Sequence, residues 1–481
     1  MGTTTMARTP DVGADAADAA RALVERGRAA MRTLEGADQD RVDDAVRALA
    51  WAVYEPTRAR ALAELAVEDT GLGNVEDKVI KNQRKTFGTL RDLLRVRTVG
   101  VIEEDRAKGI VKYAKPVGVV AAVTPSTNPV ATPVNKAMMA LKGRNAVVIA
   151  PSPSGWTATA RTVDAMRAEL RKAGFAEDLV QILPAPVTKG LTQALMQACD
   201  LLVVTGSQDN VRRAYSSGTP AIGVGAGNVA VIVDASADLD DAARKIAASK
   251  TFDNSTSCSS ENALVIVDAV YDAMVDALKR AGGYMATPDE RKHVLERLWV
   301  NGKLNREVIA RDCDVLAKAL GLPEAAQKAR FVMVEETGVG RDYPFSGEKL
   351  SLVLAVYRAS DFEAAKALGG KILAWQGMGH SIGIHTDDMD HARSLAEDLN
   401  VVRVLVNQAH TFGNGGSFDN GLPFTLSMGC GTWAGNSISE NLNWRHFINV
   451  THLVTTIPED KPSEEELFGG YWERYGKGEG A

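Results

Sequence analysis

The sequence has few of the residues that metal sites and disulfide frameworks require. Its 481 residues include four cysteines and seven histidines. The cysteines are Cys199, Cys258, Cys313 and Cys430, and none belongs to a CxxC pair. Structural zinc sites and disulfide-rich folds show close, repeated cysteine spacings. We therefore expect free thiols, no metal and a reducing, cytoplasmic location.

The sequence also lacks long apolar runs and any excess of positive charge. No apolar segment approaches the roughly 20 residues that span a bilayer, and the start of the chain lacks the basic-then-apolar layout of a secretory signal. The formal net charge is −6, without the basic stripe typical of nucleic-acid-binding proteins. We expect a protein that binds neither membranes nor nucleic acids and that is long enough for two or three domains.

Strand-like and helix-like segments alternate along most of the chain. Residues from about 14 to 96 show helical spacing, with Gly71 as a candidate helix end. Apolar strand segments then alternate with helical ones up to Ser207, and a second alternating region follows Val229. This alternation predicts an α/β fold with βα units on parallel sheets covered on both faces.

Cys258 lies in the stretch FDNSTSCSSEN, between a helix-like segment and an apolar run. A lone cysteine in such a place is most often a small, half-buried core residue. The alternative is a nucleophile whose surroundings activate its thiol. The stretch alone is compatible with both interpretations.

Three further motifs suit ligand binding beside strand ends. Thr205, Gly206 and Ser207 follow a strand and precede a helix, whose N–H groups and dipole suit a phosphate. The glycines of AIGVGAGN, among them Gly225, allow a ligand to approach the backbone. Asn128 in VTPSTNP has an amide that can donate to an oxyanion. An ordinary βα turn, a flexible crossover and an Asn-Pro turn are the respective alternatives.

Taken in order, the motifs resemble those of the aldehyde dehydrogenase superfamily over nearly the whole chain, and in particular its CoA-acylating branch. They are VTPSTNP, LKGRNAVV, TGSQDNVRRAYSSGTPAIGVGAGN, KTFDNSTSCSSEN, GEKLS, GMGHS and GCGTWAGNSISEN. The resemblance implies a Rossmann-type cofactor domain, an α/β catalytic domain and a small β oligomerisation element, assembled as a homodimer or homotetramer. The implied ranges are 10–108 and 122–226 for the cofactor domain, 227–425 for the catalytic domain, 109–121 and 426–456 for the oligomerisation element, and 457–481 for a surface tail.

The resemblance also implies roles for individual residues. Cys258 would attack the aldehyde carbon, and Asn128 would stabilise the oxyanion. His380 in GMGHS would handle protons, with a structural histidine as the alternative. Glu348 in GEKLS would hold the nicotinamide ribose. The remaining implied cofactor-binding residues are Thr205, Gly206, Ser207 and Gly225.

The resemblance implies that the reaction ends with transfer of the acyl group to coenzyme A, which is a co-substrate. Gly223 aligns with the glutamate that activates water in hydrolytic relatives, so a thiol is expected to take the acyl group. The cofactor is NAD or NADP, because VVIAPSPSG offers neither an acid nor a basic clamp. A hydrolytic enzyme and a catalytically silent structural member remain alternatives.

The expected substrate is a small acidic aldehyde. Sulfoacetaldehyde is the first expectation, and succinic semialdehyde and acetaldehyde are the alternatives. The physical support is the set of hydroxyl groups around Cys258, which are donors for a sulfonate or carboxylate; they belong to Ser255, Thr256, Ser257, Ser259 and Ser260. These hydroxyls are equally suited to capping the following segment.

Overall fold

The computed structural model describes residues 13–478, which form helices and strands around two large parallel sheets. The α-helices are α1 Ala14–Arg32, α2 Gln39–Tyr54, α3 Pro56–Thr70, α4 Val75–Leu94, α5 Ala131–Lys142, α6 Trp156–Lys172, α7 Lys189–Ala198, α8 Gln208–Tyr215, α9 Leu239–Thr251, α10 Tyr271–Arg280, α11 Pro288–Leu298, α12 Cys313–Ala319, α13 Glu324–Gln327, α14 Phe362–Trp375, α15 Met389–Asp398, α16 His410–Gly413 and α17 Glu464–Tyr475. The β-strands are β1 Gly100–Asp105, β2 Ile110–Pro116, β3 Val119–Thr124, β4 Ala146–Pro151, β5 Val180–Ile182, β6 Leu201–Val204, β7 Ala221–Gly223, β8 Val229–Val233, β9 Glu261–Val267, β10 Gly283–Met285, β11 Trp299–Val300, β12 Lys303–Leu304, β13 Phe331–Glu335, β14 Val353–Ala359, β15 Ile382–His385, β16 Val404–Val406 and β17 Ile448–Val454.

Four helices precede the first sheet, as the helical spacing predicts. The side chain of Asp38 accepts a hydrogen bond from the N–H of Arg41 at the start of α2, and Asn74 caps α4 in the same way. Helix α3 ends at Gly71, whose φ of 68° is left-handed. A glycine adopts this conformation without a Cβ clash, so the predicted helix end is confirmed.

The first large sheet has five parallel strands in the order β5-β4-β3-β6-β7. Its central strands are wholly buried, and helices α1, α5, α6 and α8 pack against it. The chain leaves β3 towards one edge and β6 towards the other, so the crevice beyond these two strands is a topological switch point, where nucleotides bind. Asn128 follows β3 and Thr205 follows β6, so the topology brings them to one crevice.

The second large sheet has seven parallel strands in the order β10-β13-β14-β9-β8-β15-β16. All seven residues of β9 are buried. Cys258 comes shortly before β9, and Glu348 comes shortly before β14. Because these strands are parallel neighbours, both residues lie at the same end of the sheet, where the two strands begin. The predicted α/β class is therefore confirmed, with two separate parallel sheets.

A small antiparallel sheet has the order β1-β2-β17. It pairs β2 with β17, which is an edge strand, as expected for the segments 109–121 and 426–456. Two of its limits differ from the sequence-based prediction. Strand β1 lies in the range assigned to the cofactor domain yet pairs with β2. Val119 to Ala121 belong to the five-stranded sheet, because the chain turns at Gly118 with a φ of 125°. The division into domains stays a prediction.

The C-terminal region contains helix α17, where the sequence predicted only a polar surface tail at 457–481. Ser463 caps this helix by accepting from the N–H of Glu466, and the side chains of Leu467, Phe468 and Tyr471 are exposed. Residues 10–12 and 479–481, at the limits of the predicted ranges, lie outside the described residues. Between residues 13 and 478, no helix combines the length and apolar content that crossing a bilayer requires.

Candidate active site

A cleft of about 960 Å³ brings together most of the residues that the sequence singled out. Its lining includes Cys258, Asn128, Thr205, Gly206, Ser207, Gly225 and Glu348. These residues come from both large sheets. Some lie in the crevice beyond the ends of β3 and β6, and the others lie where β9 and β14 begin. Seven of the eight predicted site residues therefore share one cleft, and His380 is the exception.

Cys258 follows a turn with an unusual backbone. Asp253, Asn254 and Ser255 have φ angles of 50°, 52° and 62°, which residues other than glycine seldom adopt. Such strain persists only where the surroundings impose it. The amide of Asn254 donates to Asp312 Oδ1 at 2.7 Å, and the hydroxyl of Ser255 donates to the carbonyl of Lys250 at 2.9 Å.

Most hydroxyls beside Cys258 are used to hold this turn. The hydroxyl of Thr256 donates to Asp253 at 2.7 Å, and those of Ser255 and Ser260 are 2.7 Å apart. The hydroxyl of Ser259 accepts from the amide of Asn414 at 2.9 Å. Four of the five hydroxyls therefore hold the turn and its neighbours, while that of Ser257 lines the cleft and accepts from the N–H of Ser259 at 3.2 Å. That these groups bind an acidic substrate stays a prediction.

The carboxylate of Asp253 is the centre of a buried ionic network. Lys78 Nζ donates to it at 3.1 Å, and Lys81 Nζ makes a shorter contact. Burial alone would raise the pKa of Asp253, but the charges of Lys81 and Lys78 and hydrogen bonds from Lys81 and Thr256 outweigh it and lower this pKa. Asp253 therefore remains ionised and fastens helix α4 to the turn that carries Cys258.

Lys81 also fixes the orientation of Asn128. Its ammonium donates to Asn128 Oδ1 at 3.0 Å. An ammonium has no acceptor capacity, so the oxygen of the amide must face Lys81. The Nδ2 group is left with one 3.3 Å contact to the hydroxyl of Thr127. Asn128 can therefore donate to an oxygen bound in the cleft.

The thiol of Cys258 is half-buried and strongly biased towards its neutral form. Burial raises its pKa to about 12, with further raising effects from Glu348 and Cys430. A hydrogen bond with Ser259 and the charge of Arg403 oppose this shift. In this structure the neutral thiol is therefore the resting form.

The far part of the cleft has features that fit a dinucleotide. Ser207 caps α8 by accepting from the N–H of Asn210 at 3.3 Å. A Cβ on Gly206 would meet nothing closer than 4.0 Å, so the backbone there is open to a phosphate. Glu348 is half-buried with its carboxylate on the cleft. Burial raises the pKa of Glu348 to about 7, and its oxygens can accept from ribose hydroxyls.

His380 does not reach the cleft. It is 1% exposed, its Nδ1 bonds with the hydroxyl of Ser381 at 2.7 Å, and it is absent from the cleft lining. Burial, with the charges of Arg403 and His410, holds the pKa of His380 well below its ordinary value. His380 is therefore neutral and outside the cleft lining, and its Nε2 has no hydrogen-bond partner among the described residues. Its role in proton handling, with a structural histidine as the alternative, stays a prediction.

Gly223 lies at the end of β7, next to helix α8. A Cβ there would lie 2.6 Å from Val211 Cγ1 and 3.0 Å from Tyr215 Cε2, both on α8. The crossover residues that line the cleft run from Val224 to Gly227, and none is acidic. The correspondence of Gly223 to the acid of hydrolytic relatives stays a prediction.

Several cleft residues were not found from the sequence. Lys85, Thr411 and Lys189 line the cleft, and Lys81 and Asp253 form the ionic network behind its wall. One signal was available, since residues 78, 81 and 85 are all lysines at spacings that share a helix face. Within the described part of the chain, no cluster of three His, Cys, Asp or Glu side chains could hold a metal.

A Rossmann-type sheet beside a second α/β unit, with a cysteine turn at the cleft between them, defines the class as aldehyde dehydrogenase-like. A sequence model described as the aldehyde dehydrogenase family matches residues 2–292. The chain belongs to the aldehyde dehydrogenase family, so the sequence-based resemblance is confirmed.

Individual relatives of this chain are named as acylating or acetylating aldehyde dehydrogenases. The chain is 56% identical to the acylating sulfoacetaldehyde dehydrogenase of Cupriavidus necator, over 96% of this chain and 94% of that one. It is 37% identical to the acetylating succinate-semialdehyde dehydrogenase of Clostridium kluyveri, over 93% of this chain and 98% of that one. The crystal structure of an acetylating aldehyde dehydrogenase from Geobacillus thermoglucosidasius superposes with a TM-score of 0.89 at 36% identity, covering 94% of this chain and 100% of that chain.

The raised pKa of Cys258 predicts slow, pH-dependent alkylation of the resting protein. Below the pKa of the thiol, the thiolate fraction grows about tenfold with each pH unit. The rate of iodoacetamide labelling should therefore rise about tenfold per pH unit between about pH 7 and about pH 10. Glu348→Gln should speed labelling above about pH 7, because it removes a negative charge that raises the thiol pKa. Peptide mapping by mass spectrometry separates Cys258 from the other cysteines. A labelling rate that levels off below about pH 9 would contradict this account.

The buried network predicts a large cost for neutralising Asp253. Asp253→Asn would leave two buried ammonium groups without their carboxylate, which should lower the free energy of unfolding by about 3–5 kcal/mol in urea denaturation. The matched control is Asp240→Asn, which removes an exposed ion pair with Arg280 and should cost less than about 1 kcal/mol. Equal effects of the two substitutions would show that the network does not stabilise the fold.

Proposed function

We propose that the protein is a CoA-acylating aldehyde dehydrogenase that converts a small anionic aldehyde, in the first place sulfoacetaldehyde, to its acyl-CoA with NAD or NADP. The single observation that carries this proposal is the Cys258 thiol on a cleft with the amide of Asn128 held by Lys81. That pairing supplies a nucleophile and an oxyanion donor in one place.

The Cys258 thiol first loses its proton to solvent in the cleft, and the resulting thiolate attacks the aldehyde carbon. The carbonyl oxygen then carries the developing negative charge, and Asn128 Nδ2 donates to it. The N–H of Ser259 is engaged with the hydroxyl of Ser257 at 3.2 Å. Asn128, with a backbone N–H of Ser257 or Cys258, is therefore the assigned donor, and one such donor contributes on the order of 3 kcal/mol.

The second step leaves a thioester on Cys258. When bound, the nicotinamide supplies the hydride acceptor. The Glu348 carboxylate would hold that group in position by accepting from the ribose hydroxyls. The N–H groups at Gly206 and Ser207 would hold the pyrophosphate at the start of α8.

The third step transfers the acyl group from Cys258 to the thiol of coenzyme A. Two carboxylates line the cleft, Asp209 and Glu348. Asp209 lies in the first turn of α8, away from the nucleophile turn, and Glu348 is assigned to the ribose. No carboxylate from the crossover is left to activate water, which supports acyl transfer to a thiol over hydrolysis.

The substrate assignment draws on the relatives. The 56%-identical relative is named for sulfoacetaldehyde, and succinic semialdehyde is the second candidate on the same grounds. A hydrolytic enzyme is disfavoured by the lack of a crossover acid. A catalytically silent protein is disfavoured because Cys258, Asn128 and Glu348 lie together on one cleft.

We also infer a homodimer or homotetramer formed through strand β17. This edge strand exposes apolar side chains on both faces: Val450 and Val454 on one, by 39% and 64%, and Leu453 on the other, by 51%. An exposed edge strand of this kind pairs with another chain or needs cover. All four cysteines are unpaired, which supports a cytoplasmic location.

Turnover should depend on CoA. Rapid mixing of enzyme, nicotinamide and sulfoacetaldehyde should give one reduced nicotinamide per active site and then stop, because the thioester on Cys258 waits for a thiol. Adding CoA should restore steady turnover. Cys258→Ser should abolish the burst, and Cys313→Ser, at a buried position outside the cleft, should keep it. Steady carboxylate release without CoA, at the rate of the CoA reaction, would contradict the acylating assignment.

Charging strand β17 should break the oligomer. Val450→Lys with Val454→Lys places two charges on one face of β17 without changing the backbone hydrogen bonds to β2. Size-exclusion chromatography with light scattering should show two or four chains for the natural protein and one chain for the double variant. The control is Val300→Lys, at an exposed position in the β11–β12 hairpin. A monomeric natural protein would exclude this interface.

A further inference from the structure

Three lysines on one face of helix α4 point towards the nucleophile turn, and only two of them have a carboxylate partner. Lys78 and Lys81 pair with Asp253. Lys85, one helical turn beyond Lys81, lines the cleft and donates from Nζ to the carbonyl of Gly415 at 2.8 Å. Among the described residues, no carboxylate lies within ion-pair distance of Lys85.

The polar groups around Lys85 are not fully used. Lys85 is 9% exposed, and an ammonium has three donors, of which Gly415 takes one. Thr411, four residues before Gly415, lines the same cleft and is 7% exposed, and its hydroxyl has no hydrogen-bond partner in the part of the chain described. A buried ammonium with two unused donors and a buried hydroxyl without a partner are both costly, so each has a donor available for a bound group.

The electrostatic setting favours an anion there. Burial lowers the pKa of Lys85 to about 7, helped by the charges of Arg84 and Lys81, while Cys258 opposes the shift. The charges of Arg84 and Lys81 would repel a further positive group at this place. An incoming anion would restore the charged form of Lys85 and supply the partner that the protein does not.

We propose that Lys85, with the hydroxyl of Thr411, binds the sulfonate or carboxylate of the aldehyde and thereby selects anionic substrates. This inference rests on the proposed acylating function and assigns its specificity. Lys81 contacts Asn128 and Thr256 at 3.0 Å each, so the next turn of α4 is beside the reacting atoms. The aldehyde carbon at Cys258 and the anionic group at Lys85 then lie along one wall of the cleft.

A cofactor or CoA phosphate could offer Lys85 the same anionic oxygens. The aldehyde is favoured because the phosphate-suited backbone is at Gly206 and Ser207, on the other large sheet from the nucleophile turn, and because Lys85 adjoins residues that contact the reacting centre. A second rival role is stabilisation of the Cys258 thiolate. The three roles predict different kinetic effects of replacing Lys85. Binding of the aldehyde's anionic group affects kcat/KM for charged aldehydes alone, stabilisation of the thiolate affects all aldehydes, and binding of a phosphate affects the KM of CoA or nicotinamide.

The test compares charged and neutral aldehydes in Lys85→Met, which keeps the length of the side chain and removes its charge. A hydrogen bond to a charged group is worth about 1.5–3 kcal/mol, so kcat/KM for sulfoacetaldehyde should fall about 10- to 100-fold. The value for acetaldehyde should change less than about threefold. Thr411→Val should lower the sulfoacetaldehyde value alone, by about two- to tenfold. The control Lys189→Met removes an exposed cation of the same cleft and should affect both aldehydes equally.

Other outcomes overturn the proposal in distinct ways. Equal losses for both aldehydes in Lys85→Met would assign Lys85 to the thiolate or to structure. A rise confined to the KM of CoA or nicotinamide would assign it to a phosphate.

A binding measurement separates this inference from the proposed function. Ethanesulfonate, which cannot react, should slow iodoacetamide labelling of Cys258 in the natural protein and have no effect in Lys85→Met. Failure of every aldehyde to turn over with CoA would reject the proposed function and leave this measurement valid. Absence of protection in an enzyme that turns over with CoA would reject the role of Lys85 alone.

Discussion

The buried carboxylate of Asp253 is the constraint on which the site depends. It accepts from Lys78 and Lys81 of α4, from the hydroxyl of Thr256 and from the N–H of Asn74 at 3.1 Å. These bonds hold three consecutive left-handed residues in the turn before Cys258. The same lysine that neutralises Asp253 also orients Asn128. One ionic contact thus sets the backbone of the nucleophile and the direction of its oxyanion donor, although they belong to different sheets.

The charge balance of the cleft follows from this arrangement. One buried carboxylate serves two lysines, and a third lysine on the same helix face is left without a partner. The nucleophile is neutral at rest because burial and Glu348 disfavour its thiolate. A substrate that brings its own negative charge therefore completes the cleft better than a neutral one. Helix α4 therefore contributes to both properties: Lys85 to substrate selection, and Lys78 and Lys81 to the stability of the protein.

Much of the fold could be predicted from the sequence, and the site only in part. Asn128 and Thr205 were found because strand ends in a parallel sheet converge on one crevice, and Cys258 and Glu348 because their motifs resemble a family. Side-chain direction is not visible in a motif, so the burial of His380 and the contact of Gly223 with α8 could not be predicted. The lysines of α4 read as a solvated helix face until their partner Asp253 is known, 172 residues beyond Lys81.

The central claim is that Cys258 carries the acyl group between the aldehyde and coenzyme A. The most direct measurement is mass spectrometry of the protein after acid quenching, with sulfoacetaldehyde and nicotinamide present and CoA absent. The account predicts a sulfoacetyl group on the peptide that contains Cys258, and its loss within the turnover time once CoA is added. An unmodified Cys258 peptide during the reaction, or an acyl group on a different cysteine, would contradict the account.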